Sequence, residues 1–149
     1  MPSVTYRIAQ TQDTDPVYQY EYNKNFSPDE SEIENQIRVW DSFFRKESIE
    51  HYFKTGWSFV AIDQQEKICG FFLAQPLLFL DRQTQTLWVE YISADSDEIF
   101  YQLVDIAYRL SREKHFQRVI FAAEIESKLV QKLPFQIWER QFKLLKTTK

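Results

Sequence analysis

Trp88-Val89-Glu90-Tyr91-Ile92-Ser93-Ala94-Asp95-Ser96-Asp97-Glu98-Ile99-Phe100-Tyr101-Gln102-Leu103 reads as a buried strand, a short turn and the start of a long helix. Such a corner is a common binding place in proteins that combine sheet and helix. The helix N-terminus offers unpaired N–H groups and the positive end of a dipole. Here the corner carries acids where a phosphate-binding corner would carry glycines. The helix continues over 96–114, with Ile99, Leu103, Ile106, Ala107 and Leu110 at the spacing of one buried stripe. Asp95 and Glu98 have the spacing of a capping-box pair.

Upstream of the corner, residues 57–62 form a strand, 63–66 a hairpin turn, and 67–80 a long second strand. Pro76 lies in that second strand, and proline cannot donate to a ladder, so a bulge or a sheet edge is expected there. Residues 81–85 turn again, and 86–92 return as the strand of the corner. The N-terminal third begins with a strand over 4–9. A helix follows from Thr14-Asp15-Pro16 to about Asn25, capped by Thr14 or Asp15. Ser27-Pro28-Asp29-Glu30 is a second helix start, with Ser27 as cap. Ile33, Ile37, Trp40 and Phe44 follow as one apolar stripe. Residues 48–54 add a further turn or two, stopped by Gly56. After the long helix, 118–125 is a continuous apolar strand of the type buried on both faces. A short helix over 126–133 and a closing strand over 135–148, split near Glu139-Arg140, complete the order. That order is a mixed, mostly antiparallel, twisted sheet of six to seven strands flanked by helices, α+β in class. No repeat or linker divides the 149 residues, and one domain is expected over 1–149.

Composition excludes several function classes. Net charge is −4, so a dense positive surface for nucleic acid is absent. Arg140, Lys143, Lys146 and Lys149 are the one basic cluster, read as a solvated tail. The single cysteine, Cys69, permits no intrachain disulfide. The longest apolar run, 69–80, is broken by Gln75 and Pro76 and is too short for a bilayer. These features lead us to expect a cytoplasmic protein with no membrane partner. Only two glycines occur, Gly56 and Gly70, which excludes the Gly-rich loops that cradle phosphate. His51 and His115 have no cysteine or carboxylate at metal-ligand spacing, so no metal is expected. No serine has the glycine flanks of a nucleophile elbow.

The element order, with Gly70 in the second hairpin strand, resembles the GCN5-related N-acetyltransferase superfamily over nearly the whole chain. By that resemblance, the strand ending at Ser93 is the splayed fourth strand that receives the pantetheine arm of acetyl-CoA or another acyl-CoA. Tyr91, Ile92 and Ser93 would hold the arm through their backbone and polarise the thioester carbonyl. Glu98, Ile99 and Phe100 would face the cofactor phosphates. Glu90 would be the general base toward an amine, directly or through water. Among apolar neighbours a carboxylate can be tuned toward that role. The other reading of Glu90 is a side chain pointing to solvent or to a basic partner. Glu124 is a weaker second base candidate.

Two positions depart from the family pattern. The pyrophosphate signature Gln/Arg-x-x-Gly-x-Gly/Ala falls on Asp95, Glu98 and Phe100. Val130 stands where the family often has a tyrosine as general acid, so water or Tyr101 would serve instead. Two like charges about 4 Å apart repel by roughly 1 kcal/mol in water and about 4 kcal/mol near a protein surface. Acids at 95, 97 and 98 could thus cancel the attraction of a helix N-terminus, roughly 0.3–2 kcal/mol per charge. Three readings of the corner remain: a helix capped by its own acids, an ordinary CoA site, or a site for a cation. The expected function is a divergent acetyltransferase-like protein acting on an amine, with a degenerate cofactor loop and weak or lost activity. The alternative is a non-catalytic module that binds a protein partner or forms a homodimer. Phe71, Phe72, Leu77, Leu78 and Phe79 are candidates for that interface.

Overall fold

The computed structural model describes residues 3–40, 42, 44–122, 125, 131–138 and 142–147. Five strands form one sheet in chain order: β1 (Thr5–Ile8), β2 (Phe59–Ile62), β3 (Ile68–Leu78), β4 (Gln85–Ala94) and β5 (Arg118–Phe121). The first four pair antiparallel, and β5 returns parallel to β4. Helices α1 (Thr14–Lys24), α2 (Glu32–Trp40) and α3 (Lys46–Thr55) precede β2, and α4 (Asp97–Glu113) crosses from β4 to β5. The class is α+β as read. The sheet has five strands among the described residues rather than six to seven.

Side chains alternate along the strands, so each face of the sheet builds its own core. Val60, Phe71 and Leu73 pack under Val17, Ile49 and Phe53 of α1 and α3. Ala61, Phe72, Leu87 and Val89 pack against Leu103, Val104 and Ala107 of α4. Phe71 and Phe72 are therefore wholly buried and belong to the core, not to an interface. Leu78 and Phe79, beyond the end of that core, are exposed.

Gly56 ends α3 in the left-handed conformation, φ 78°, a backbone state that glycine adopts without steric cost. Gly70 serves packing instead. A Cβ there would meet Ile99 Cγ2 at 3.0 Å, Leu103 Cδ1 at 3.1 Å and the Ser93 carbonyl at 3.1 Å. The bare backbone lets α4 lie close on β3 and β4. Gly70→Ala is expected to cost about 1–3 kcal/mol through overpacking. Urea unfolding should show a lower midpoint with an unchanged slope.

The structure differs from several sequence expectations. Ser31 caps α2, not Ser27: Glu34 N–H donates to Ser31 Oγ at 3.1 Å, and Ser31 N–H to Glu34 Oε2 at 3.3 Å. Ser27-Pro28-Asp29-Glu30 forms a turn, closed by Glu30 N–H to the Ser27 carbonyl. Ile33 and Ile37 are 68% and 59% exposed, whereas Phe44 of the same expected stripe is buried in the core. Asn35 takes the buried position instead. Its amide donates to the carbonyls of Ser27, Glu30 and Ser31 and accepts from Ser27 N–H. Strand β5 is half-exposed throughout, not buried on both faces. Residues 131–134 form turns, and no strand occurs among the described residues of 135–147. The expected helix at 126–130, Glu124, Val130 and the turn at Glu139-Arg140 lie outside the described residues.

Pro76 pairs with Leu87 on a part of β3 that β2 does not reach, so the edge expected there is present. The bulge is on β4. Leu73 pairs with Tyr91 and Ala74 with Val89, leaving Glu90 as the extra residue.

Candidate functional site

The bulge at Glu90 reverses the alternation of β4. Val89 faces α4, and Tyr91 faces the α1–α3 layer although it is two residues on. An extra residue in one strand has this effect because the partner strand keeps its own alternation. Glu90 is half-buried and accepts a hydrogen bond from Trp88 Nε1–H. Its negative charge acts on Tyr52 of α3: burial first, and then Glu90, push the Tyr52 hydroxyl up to about 12.

Among the described residues, pairing of β4 with β5 runs to Val89, whose carbonyl accepts Ala122 N–H at 2.9 Å. Beyond it, residues 90–94 pair only with β3 among the described residues. The Ala94 carbonyl accepts from Lys24 Nζ, and a strand edge of this kind is a template for an extended ligand with amides of its own.

At this end of β4 lies a cavity of about 330 Å³, lined by Tyr91, Ile92, Ser93, Asp95, Asp97 and Phe100, with Glu21, Lys24 and Asn25 closing it from α1. Glu21 is 1% exposed. Its carboxylate accepts from Tyr91 Oη at 2.6 Å, Ser93 Oγ at 2.7 Å and Asn25 Nδ2 at 3.1 Å. Lys24 Nζ donates to Ser93 Oγ at 2.9 Å and to the Ala94 carbonyl at 2.8 Å. Burial, followed by the hydrogen bond and charge of Glu21, holds the Tyr91 hydroxyl far above its ordinary pKa.

Sequence reading missed Glu21 and Lys24. The signal was the spacing Thr14, Val17, Glu21, which puts Glu21 on the same face as Val17, a fully buried residue. The corner acids are also placed differently from the expected capping box. Ser96 caps α4, with its Oγ accepting Ile99 N–H at 3.2 Å. Asp95 Oδ1 instead accepts from Tyr20 Oη at 2.7 Å. Burial, with Asp95 as the next cause, holds Tyr20 far above its usual value.

Of the site residues read from the sequence, Tyr91, Ile92, Ser93 and Phe100 line one cavity. Glu90 adjoins them on the bulge. Glu98 is exposed and its charge bears on Tyr6 of β1. Ile99 packs in the core of α4. Tyr101 lies on α4, across the sheet from Tyr52, with Lys132 Nζ 4.9 Å from its ring centre. The fold therefore does not bring Tyr101 to Glu90. Among the described residues no group of His, Cys, Asp and Glu could hold a metal, and no helix is long and apolar enough to cross a membrane.

The raised tyrosines set a pH dependence. A tyrosine whose pKa is higher folded than unfolded contributes stability below about pH 10, and that contribution is lost as pH rises toward the folded value. Tyr52, moved from 10.0 to about 12, should account for about 2–3 kcal/mol of that loss. Urea midpoints measured from pH 9 to pH 12 should fall, and Tyr52→Phe should fall less steeply.

The sequence matches no protein-family model and no curated protein. Its fold does have solved counterparts. A possible acetyltransferase from Clostridium difficile 630 superposes with a TM-score of 0.70 at 12% identity, over 98% of this chain and 99% of that one. An aminoglycoside N-acetyltransferase in complex with CoA gives 0.66 at 13% identity, over 99% and 97%. A predicted acetyltransferase with acetyl-CoA from Clostridium acetobutylicum gives 0.63 at 11% identity, over 96% of each chain.

Proposed function

We propose that this chain, which has the fold of the GCN5-related N-acetyltransferases, transfers an acyl group from a pantetheine thioester such as acetyl-CoA to an amine. Fold alone does not carry that reading. The end of β4 supports it: residues 90–94 continue past the last β5 pairing among the described residues, with the bulged Glu90 next to Val89.

The edge fits the amide-bearing arm of a pantetheine, because a strand edge pairs its backbone with an extended chain of amides. When bound, the thioester supplies an activated acyl carbon. Glu90 takes a proton from the incoming ammonium, which frees the nitrogen lone pair for attack. A C–N bond forms, the C–S bond breaks, sulfur leaves with the electron pair, and the nitrogen gives its second proton to water. An N–H at the 91–93 edge stabilises negative charge on the carbonyl oxygen. A thiol has a pKa of about 8.5, so water suffices to protonate the leaving sulfur and no dedicated side-chain acid is required. The carboxylate of Glu21 fixes Tyr91 and Ser93 from behind and so keeps the edge straight.

A second reading is favoured by Asp95 and Asp97 at the cavity: a non-catalytic module that keeps the groove for a partner. Release of free thiol separates the two. Protein incubated with millimolar acetyl-CoA or S-acetyl-pantetheine and a panel of primary amines should release thiol only when an amine is present. No amine-dependent release with any amine would favour the non-catalytic module, whereas equal release with Glu90→Gln would remove Glu90 as the base.

A further inference from the structure

We infer, resting on the reading above that Glu90 is the base, that Trp88 is its positioning residue: the indole N–H holds one carboxylate oxygen and leaves the other, Oε1, to take the proton of the amine. Glu90 is the extra residue of the bulge, and among the described residues no residue of β3 or β5 is paired with it. A bulge re-aims a side chain, and something else must then hold that side chain in place. Trp88, two residues earlier, is on the anchored part of β4. It pairs with Gln75 of β3 on one side and with Ile120 of β5 on the other. Cross-strand partners share a face of the sheet, and Gln75 Oε1 lies 3.2 Å from His51 Nε2 of α3. Trp88 therefore stands on the α3 face, the face on which the charge of Glu90 bears on Tyr52. The bond from Trp88 Nε1–H to Glu90 Oε2 ties the residue on the bulge to a residue fixed between two strands.

The chemistry of an indole decides which oxygen reacts. It has one N–H and no acceptor, so it cannot itself take the proton of the amine. Its bond to Oε2 persists whether or not the carboxyl is protonated, because the proton goes to the other oxygen. Among the described residues Trp88 is the one hydrogen-bond donor to this carboxylate, which leaves Oε1 to the substrate. In the step, an N–H bond of the ammonium breaks and an O–H bond forms at Oε1. The nitrogen keeps the electron pair with which it attacks the acyl carbon. Proton transfer needs the two heavy atoms within about 2.6–3.2 Å, and a misplacement of about 1 Å can cost roughly a hundredfold in rate. A glutamate on an unpaired bulge residue has several rotamers to choose from, and the indole selects one.

The test is a double-mutant cycle on amine-dependent thiol release from S-acetyl-pantetheine, with Trp88→Phe, Glu90→Gln and the two together. Trp88→Phe removes the donor and should lower kcat by roughly ten- to a hundredfold, the scale of one hydrogen bond to a charged group. KM for the thioester should stay unchanged, which also shows that the variant is folded. In the Glu90→Gln background the same change should cost nothing further, because no base is left to position. A tryptophan that only packs would cost the same in both backgrounds. Trp88→His separates the donor from the bulk: imidazole Nε2 is as many bonds from Cβ as indole Nε1, on a ring smaller than that of phenylalanine. It should keep more of the rate than Trp88→Phe. The bond is also read without any tryptophan variant. Of the four indole N–H signals in a proton–nitrogen NMR spectrum, one should move in Glu90→Gln, where a neutral oxygen replaces a charged one. Equal losses in both backgrounds, more rate with Phe than with His, or four unmoved indole signals would overturn the inference and leave acyl transfer standing. Glu90→Gln as fast as the unaltered protein would overturn it together with the base. No amine-dependent release at all would overturn the whole reading.

Discussion

Glu21→Ala is expected to destabilise the protein by about 2–5 kcal/mol, the cost of removing the charged acceptor that buried hydroxyls share. Alanine would leave Tyr91 Oη, Ser93 Oγ and Asn25 Nδ2 without the acceptor that all three now share. A hydroxyl buried without a partner costs roughly 1–3 kcal/mol, and two hydroxyls are affected. Domains of this kind have about 5–15 kcal/mol in total, so the variant should unfold at much lower urea. Glu21→Gln keeps the shape and one acceptor oxygen, and should lose less than half as much. Urea unfolding of both variants, with the midpoint read at constant slope, checks the order. If Glu21→Ala loses no more than Glu21→Gln, the network does not hold α1 to β4.

Glu90→Gln is expected to lower kcat by a factor of about 10²–10⁴, the usual contribution of a positioned base. The amide is the same size as the carboxylate, and Trp88 Nε1–H can still donate to its oxygen, so the bulge should persist. KM for the thioester should change little, because the β4 backbone holds that substrate and Glu90 does not. The rate lost should also depend on pH: at high pH, where the amine is already neutral, the two proteins should converge. Loss of kcat with no such convergence would make Glu90 a structural residue.

Much of the fold was legible because the sequence marks its own ends. Gly56 after Lys54, the Asp63 hairpin turn and the capped start at residue 96 each use residue types with one strong local preference. Where several candidates competed, tertiary contacts decided. Ser27 and Ser31 both begin plausible helix starts, and only the fold shows that Asn35 needs the Ser27–Ser31 turn to satisfy its amide. That requirement turns Ile33 and Ile37 outward, against their periodicity. The site was legible in part. Tyr91, Ser93 and Phe100 follow from the strand-to-helix corner alone. Glu21 and Lys24 come from about 70 residues upstream, and no local pattern brings α1 to the end of β4. The corner therefore looked purely acidic in sequence, whereas the fold adds a lysine to it. Glu90 was singled out for its chemistry, but the bulge that turns it toward Tyr52 depends on pairing with Leu73 and Ala74 across the hairpin.

The central claim is that the donor's arm lies along the edge of β4. Amide proton–nitrogen NMR spectra of the protein, titrated with S-acetyl-pantetheine, test it directly. The account expects the N–H signals of residues 91–94 to move together and saturate, with those of α2 and β1 unmoved. Shifts confined to another surface, or no shift at millimolar ligand, would contradict it.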